Sequence, residues 1–440
     1  MYQQFINFKN CVRNNKIIKT LMIFFILSFT IGIFFQNNFN IAKSDFFNSF
    51  QKDSESLVLG KIINDKYSIS NTNYGLGFAY IDENGTYGPN TLDSYVILKD
   101  NIEAKKFNVY QSQVGLQGFI YSFIFNNLNI NINKIKALTL ATSIAMAITI
   151  FLLSYLLWII IGKEFAIIFY LSMILSPWIV SFSSNLYWVS FTWFLPAIFS
   201  FLVFVDIDNK RKYIWLFCFM LSIFIKSLCG YEYLSTIVLF ALSVFFIAPF
   251  LENNSISKNK LLKYIVIIFG LSIFGFLLAI GIHSLLRGEG DLLLGLKNIY
   301  EQDVLRRTFG GDATKFDPVY SDSFNASFLK VIFKYLFMWQ TDLVKGIFGI
   351  FFVVLIIVNI ILLLKFKKSN SKNLNIAMFI IFLLPALSWY FLGKSHSYIH
   401  THMNFVLWYF GFVAVLFYIP FQYIKDFCIN DVQNKENKIE

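Results

Sequence analysis

Two carboxylates, Asp53 and Glu55, lie close to the first apolar run and near the start of the first long polar stretch of the chain. A carboxylate next to a lipid surface can act as a general base and take a proton from a hydroxyl group. The alternative is that both residues only solvate a surface helix. Asp82 and Glu83 form a second acidic pair, but Asn84-Gly85 follows directly and favours a turn. Of the two pairs, Asp53 and Glu55 are therefore the stronger candidates for a catalytic carboxylate, and solvation of a surface helix stays the alternative.

Lys226 lies inside an apolar run, where an ammonium group costs about 2.5–3.5 kcal/mol on insertion scales. One interpretation is a structural ion pair with Glu232, which follows shortly after a glycine. The other is contact with a phosphate group, because a compact ammonium is a suitable partner for a phosphate leaving group. Both interpretations stay open, and Lys226 is a candidate phosphate-binding residue.

The adjacent residues Arg306 and Arg307 are further candidates for phosphate binding. A guanidinium group donates two parallel hydrogen bonds to a phosphate or carboxylate group. Glu301 and Asp303 lie about one helical turn earlier, so a plain salt-bridge network is the alternative.

Three histidines, His396, His400 and His402, cluster near the end of the chain. His396 and His400 are one helical turn apart, a spacing that can place two imidazoles on one metal ion. No acidic residue is close in sequence, and Thr401 indicates the boundary of a span. The histidines are therefore candidates for metal binding, for hydrogen bonding to a substrate, or for simple interfacial placement.

The amino-acid composition indicates the class of protein that positions these groups. The chain has 440 residues, of which 57% are hydrophobic and only 14% are charged. Such a chain is a polytopic membrane protein. Its formal charge of +11 comes from basic residues that flank the apolar runs. Such residues set the orientation of a chain in the membrane, so the charge does not indicate nucleic-acid binding. The four cysteines show no spacing typical of a disulfide framework or a zinc site.

Hydropathy predicts an all-α bundle with about ten transmembrane helices. Basic residues alternate between the connections, which predicts that both termini are cytoplasmic. The predicted organisation is a tail (1–19), a first span (20–35), a first extracytoplasmic loop (36–136), spans 2–7 (137–284), a second extracytoplasmic loop (285–343), spans 8–10 (344–423) and a tail (424–440). The span predicted at 165–181 is one of the second group, and the last is predicted at 403–423.

Apolar residues at helical spacing predict short interfacial helices in the first loop, at 44–50, 55–63 and 110–128. Gly75 and Gly77 are expected to mark turns between them. No internal repeat of fixed period is present, which argues against a pore built from repeated units.

The acidic Asp-x-Glu motif after the first span, followed by an amphipathic helix and a second interfacial segment, resembles the GT-C class of integral-membrane glycosyltransferases. Residues 110–118, 226–233 and 394–402 resemble a bacterial subgroup of this class. The resemblance implies catalysis at the extracytoplasmic face of the bacterial inner membrane, with a sugar donor linked to polyprenyl phosphate. The acceptor would be an envelope glycan, lipid or protein.

The resemblance also implies roles for individual residues. Asp53 and Glu55 would be catalytic, although a serine separates them where the class commonly has an adjacent Asp-Glu pair, so either could be the base. Gln113, Tyr231 and Glu232 would bind substrate, together with the three histidines. Some enzymes of the class use a divalent cation such as Mg²⁺ or Mn²⁺ and others do not, so the cofactor stays open.

Two other functions fit the same composition. A polymerase or ligase of undecaprenyl-linked glycans would need a basic outer cavity around a pyrophosphate. A transporter or flippase would be no enzyme at all. The scarcity of ionisable residues in the later spans argues against transport, with Lys226 as the exception.

Overall fold

The computed structural model describes residues 16–83, 91–127, 133–252, 254–308, 321–366 and 370–436, and most of this part of the chain is helical. The helices of its first half are α1 (Lys16–Gln36), α2 (Ser44–Ser49), α3 (Lys52–Tyr67), α4 (Thr91–Asp100), α5 (Leu116–Asn127), α6 (Lys134–Ile160), α7 (Lys163–Ile174), α8 (Pro177–Ser183), α9 (Phe191–Val205) and α10 (Lys212–Cys229). Those of its second half are α11 (Leu234–Ile247), α12 (Lys258–Arg287), α13 (Leu292–Ile299), α14 (Leu305–Arg307), α15 (Ser321–Phe324), α16 (Phe328–Phe337), α17 (Phe351–Lys365), α18 (Asn370–Leu392), α19 (Lys394–Ile399) and α20 (Phe412–Glu436). The turn predicted at Asn84-Gly85 and most of the amino-terminal tail lie outside the described residues.

Five helices of the described chain are long and apolar enough to cross a membrane: Ile17–Gln36, Lys134–Ile160, Lys212–Cys229, Lys258–Arg287 and Lys372–Leu392. Helices α7 and α8 form a pair bent by 67° that could be a sixth. The protein is therefore a membrane protein with a mainly helical fold.

Hydropathy predicts more spans than this. The apolar helices Phe191–Val205, Leu234–Phe250 and Phe351–Lys365 are shorter than a full span. The span predicted at 165–181 is broken where α7 ends and Pro177 starts α8, because proline cannot continue the hydrogen bonding of the preceding helix. The last predicted span begins as the 3₁₀ helix Asn404–Tyr409, and α20 then runs on into the predicted tail.

The first loop differs from the all-α prediction. Strands β1 (Gly77–Tyr80) and β2 (Lys106–Val109) pair antiparallel, so Gly77 lies in a strand and not in a turn. Helix α3 was expected on the membrane surface, but most of its side chains are buried. At Gly60 a Cβ atom would overlap the carbonyl oxygen of Gly77, so a glycine in α3 allows β1 to pack directly on the helix.

The second loop is also structured. Helix α12 ends at Arg287, and α13 is followed by the π-helical turn Tyr300–Val304 and then by α14. Helix α14 packs against α19, which carries the first histidine of the cluster. The fold thereby brings distant segments of the chain to one place.

Candidate functional site

A cavity of about 310 Å³ lies where α3, the α8–α9 connection, the α10–α11 connection, α14 and α19 meet. Its wall contains two carboxylates, two guanidinium groups, three imidazoles and aromatic rings. Seven of the predicted site residues line it: Asp53, Glu232, Arg306, Arg307, His396, His400 and His402. Candidates from four distant stretches of the sequence therefore share one site.

The two carboxylates of the Asp-x-Glu motif have different surroundings. Asp53 is exposed in the first turn of α3 and lines the cavity. Glu55 is fully buried, where it pairs with Lys52 at 2.6 Å and accepts hydrogen bonds from the Tyr95 hydroxyl at 3.0 Å and the Leu186 backbone N–H at 3.2 Å. Residues two apart on a helix point to different sides, which separates the pair. Glu55 holds α3 in place, and only Asp53 faces the cavity.

The arginines belong to a buried charge network. Arg307 pairs with Glu232 at 3.1 Å and lies 3.9 Å from Asp303. Asp303 also lies 3.8 Å from Arg306 and 3.9 Å from Arg287. Burial of Arg307 opposes its charged form, but these carboxylates outweigh burial and raise its pKa above the usual range. The guanidinium group of Arg307 is therefore charged and held in a fixed position at the cavity wall.

The three histidine rings lie side by side, tilted or edge-on to one another. The ring centroids of His396 and His400 are 4.3 Å apart, and those of His400 and His402 are 5.3 Å apart. Burial, together with His400 and both cavity arginines, holds the pKa of His396 well below its usual range. Burial, His402 and the same arginines lower the pKa of His400 to about 3. At neutral pH these two imidazoles are uncharged, so each can donate one hydrogen bond and accept another.

Metal binding is one of the three interpretations of the histidine spacing. Within the described ranges, no group of three or more His, Cys, Asp or Glu side chains is arranged to hold a metal ion. The His400 Nδ1 atom is buried without a hydrogen-bond partner. The arrangement is thus closer to a hydrogen-bonding group than to a coordination sphere.

Lys226 and Tyr231 do not line the cavity. The Lys226 ammonium group donates to the carbonyl oxygen of Gly230 at 2.6 Å, and Glu232, its partner in one of the two interpretations, pairs with Arg307 instead. The Tyr231 hydroxyl is 3.0 Å from Nδ1 of His283, and the two rings stack. The structure therefore places these two candidates behind the cavity wall.

Gln113 is also behind the wall, and its environment is unusual. The side chain is fully buried, and neither its nitrogen nor its oxygen has a hydrogen-bond partner. A Cβ atom at Gly230 would lie 2.7 Å from the Gln113 amide oxygen and 2.5 Å from Oε2 of Glu232. Because Gly230 has no side chain, the side chains of Gln113 and Glu232 can both lie close to its backbone.

Part of the wall was not among the predicted site residues. The aromatic rings of Tyr110, Tyr187 and Trp188 line the cavity. Asn185 accepts hydrogen bonds from the backbone N–H groups of Tyr187 and Trp188 at 3.0 and 3.1 Å, and the Trp188 indole donates to Gln51 at 3.2 Å. The sequence pattern that indicates this part of the wall is Asn-x-aromatic-aromatic in a short connection between spans. An asparagine in such a connection commonly stabilises a turn.

The chemistry of the cavity combines three functions in one space. The carboxylate of Asp53 can accept a proton, the guanidinium groups of Arg306 and Arg307 can bind an anion, and the aromatic wall can stack on a ring. We compared the chain with family models, curated proteins and solved structures, and none of them matched. The functional argument therefore depends on this geometry.

Proposed function

We propose that the protein is a membrane glycosyltransferase that moves a sugar from a polyprenyl-phosphate donor to an envelope glycan, lipid or protein. The observation that carries the proposal is the single cavity in which Asp53 meets Arg306 and Arg307. The proposal includes a GT-C-like bundle of about ten spans, in which the shorter apolar helices also cross the bilayer. It further includes placement in the bacterial inner membrane with both termini in the cytoplasm.

In the proposed reaction Asp53 removes the proton from an acceptor hydroxyl group. The acceptor oxygen then forms a bond to the anomeric carbon while the bond from that carbon to the phosphate oxygen breaks. The phosphate leaves with the electron pair and is stabilised by Arg306 and Arg307. A single displacement of this kind inverts the configuration at the sugar.

The remaining wall suits recognition of the sugar. Neutral imidazoles of His396 and His400 can donate to or accept from sugar hydroxyl groups. The ring of Trp188 lies in the wall and is fixed by its hydrogen bond to Gln51, so it can stack on the apolar face of a sugar. These residues would position the donor, and Asp53 would remain the base.

The charge of the cavity favours a carrier with one phosphate over a pyrophosphate. The two lining arginines are opposed by Asp53 and Glu232, and the buried Asp303 contacts both of them. A polymerase or ligase of undecaprenyl-linked glycans would need a more basic cavity to neutralise a pyrophosphate. The same polar groups serve proton transfer, which a flippase does not need.

The test is complementation of a deletion strain, with mass spectrometry of its envelope glycans. Asp53→Asn should abolish the sugar modification at an unchanged protein level, because an amide cannot take the acceptor proton. Asp45→Asn, an exposed carboxylate of the same loop, is the matched control and should restore modification.

Two outcomes would contradict the proposal. If Asp53→Asn retains modification and Asp82→Asn loses it, the base is elsewhere in the first loop. If the purified chain in liposomes moves lipid or glycan across the bilayer without transferring sugar, the protein is a transporter.

A further inference from the structure

Helix α13 exposes an unusual amount of apolar surface. Of its eight residues only Gly295 and Ile299 are buried, while the leucines at 292, 293, 294 and 296 are exposed. Leu293 keeps 76% of its surface accessible. Soluble surfaces rarely group large apolar side chains in this way, so the face has a partner.

Helix α16 shows a second such face. Leu329, Phe333 and Phe337 recur at the spacing of one helical turn and are all exposed, while Val331 and Tyr335 on the opposite side are fully buried. Leu329 also keeps 76% of its surface accessible. The helix is thus apolar on two sides, one packed on the protein and the other uncovered by it.

Both faces lie next to helices that also expose large apolar side chains. Exposed Ile282 and Leu285 on the candidate span α12 lead into the leucines of α13. Exposed Phe348 and Ile350 link α16 with the apolar helix α17, whose own outer side is exposed as well. Apolar surface beside a candidate span and another apolar helix fits lipid better than a separate protein partner.

The packing of α13 against α12 fixes the apolar face of α13 at the end of the candidate span α12. A Cβ atom at Gly295 would overlap the carbonyl oxygen of Ser284, so α13 crosses α12 in direct backbone contact near its last turn. Lys297 is exposed at the end of α13, and Lys330 is exposed on α16. Lysines beside an apolar face are typical of helices that lie among lipid headgroups.

We propose that α13 and α16 are interfacial helices whose apolar faces are embedded in the lipid bilayer. The first of them leads through the π-helical turn to Arg306 and Arg307. Embedding α13 would place this rim of the cavity at the level of the lipid headgroups. A phosphate on a lipid would then reach the arginines laterally from the membrane. This consequence rests on the proposed function, but the embedding of the helices does not.

The test uses a fluorophore on single cysteines in the full chain, reconstituted in nanodiscs after replacement of the native cysteines. NBD is attached at Leu293→Cys on α13 or Phe333→Cys on α16, both exposed positions that tolerate a label. Doxyl groups on the lipid chains then quench the dye according to its depth. An interfacial helix lies about 5–10 Å into the headgroup and acyl boundary, so shallow doxyl lipids should quench more than deep ones.

Two further positions calibrate the measurement. Glu289→Cys, in the exposed turn before α13, should give unshifted emission without quenching. Ile273→Cys, exposed near the middle of the candidate span α12, should be quenched by deep doxyl lipids. Emission at 293 and 333 that matches position 289 would overturn the proposal. Blue-shifted emission without quenching would also overturn it, because it would show that a protein surface covers the helices.

Discussion

Replacement of Glu232 by Ala should destabilise the protein by about 3 kcal/mol, because it leaves the Arg307 guanidinium group buried without its nearest carboxylate. The pair has a nitrogen–oxygen distance of 3.1 Å, and the side chains keep 6% and 13% of their surface exposed. At an effective dielectric constant of about 20, unit charges at this distance attract by about 5 kcal/mol. Asp303, 3.9 Å from Arg307, retains part of this attraction, which places the loss at the lower end of the usual range of about 3–5 kcal/mol.

The assay is a double-mutant cycle of unfolding free energies with Glu232→Ala, Arg307→Ala and both together. The double variant removes both charges of the pair, so its loss should be smaller than the sum of the single losses by about 2–3 kcal/mol. The pair of Lys425 and Glu164 is the matched control, since it has the same distance of 3.1 Å but side chains that are 43% and 40% exposed. It should give a coupling of about 1 kcal/mol or less. Equal couplings for the two pairs would refute the argument from burial.

Three further outcomes are expected. Glu55→Gln should lower the unfolding free energy by about 1–3 kcal/mol, because the buried partners of Glu55 lose their carboxylate. It should preserve the proposed sugar transfer per folded molecule, and loss of transfer at full stability would make Glu55 the base instead of Asp53. Gly60→Ala should lower the melting temperature strongly because its Cβ meets the β1 backbone, whereas Gly270→Ala, with open space around its Cβ, should not. Acid should destabilise the protein between pH 6.5 and about 3, because His400 binds a proton in the unfolded chain but not in the folded protein, where its pKa is about 3. Melting curves of His400→Gln should show a smaller loss of stability in this pH window.

Local sequence patterns predicted the helices well where apolar residues recur at helical spacing. The stretches at 44–50, 55–63 and 110–128 all contain helices. The patterns did not predict that α3 is covered by other elements, because an apolar stripe has the same spacing whether lipid or protein covers it. They also did not predict the β1–β2 pair, since each strand has only four residues.

In the site, too, the sequence predicted the types of the residues but not the directions in which their side chains point. Asp53 and Glu55 were equal candidates from the sequence, and only the packing of α3 shows that one faces the cavity and the other is buried. An ion pair with Glu232 was one of two interpretations of Lys226, but Arg307, far away in sequence, pairs with that carboxylate. A partner distant in sequence cannot be read from local spacing.

The sequence by itself determined that the protein belongs to a membrane and that its acidic, basic and histidine-rich segments alternate with apolar helices. These properties depend on composition and on short-range periodicity, which a chain carries in any conformation. The tertiary structure alone decided which of these side chains share the cavity, which are neutralised by buried partners and which apolar faces stay uncovered. Those outcomes depend on long-range packing, where the direction of a side chain and its distance to a remote segment are set by the whole fold.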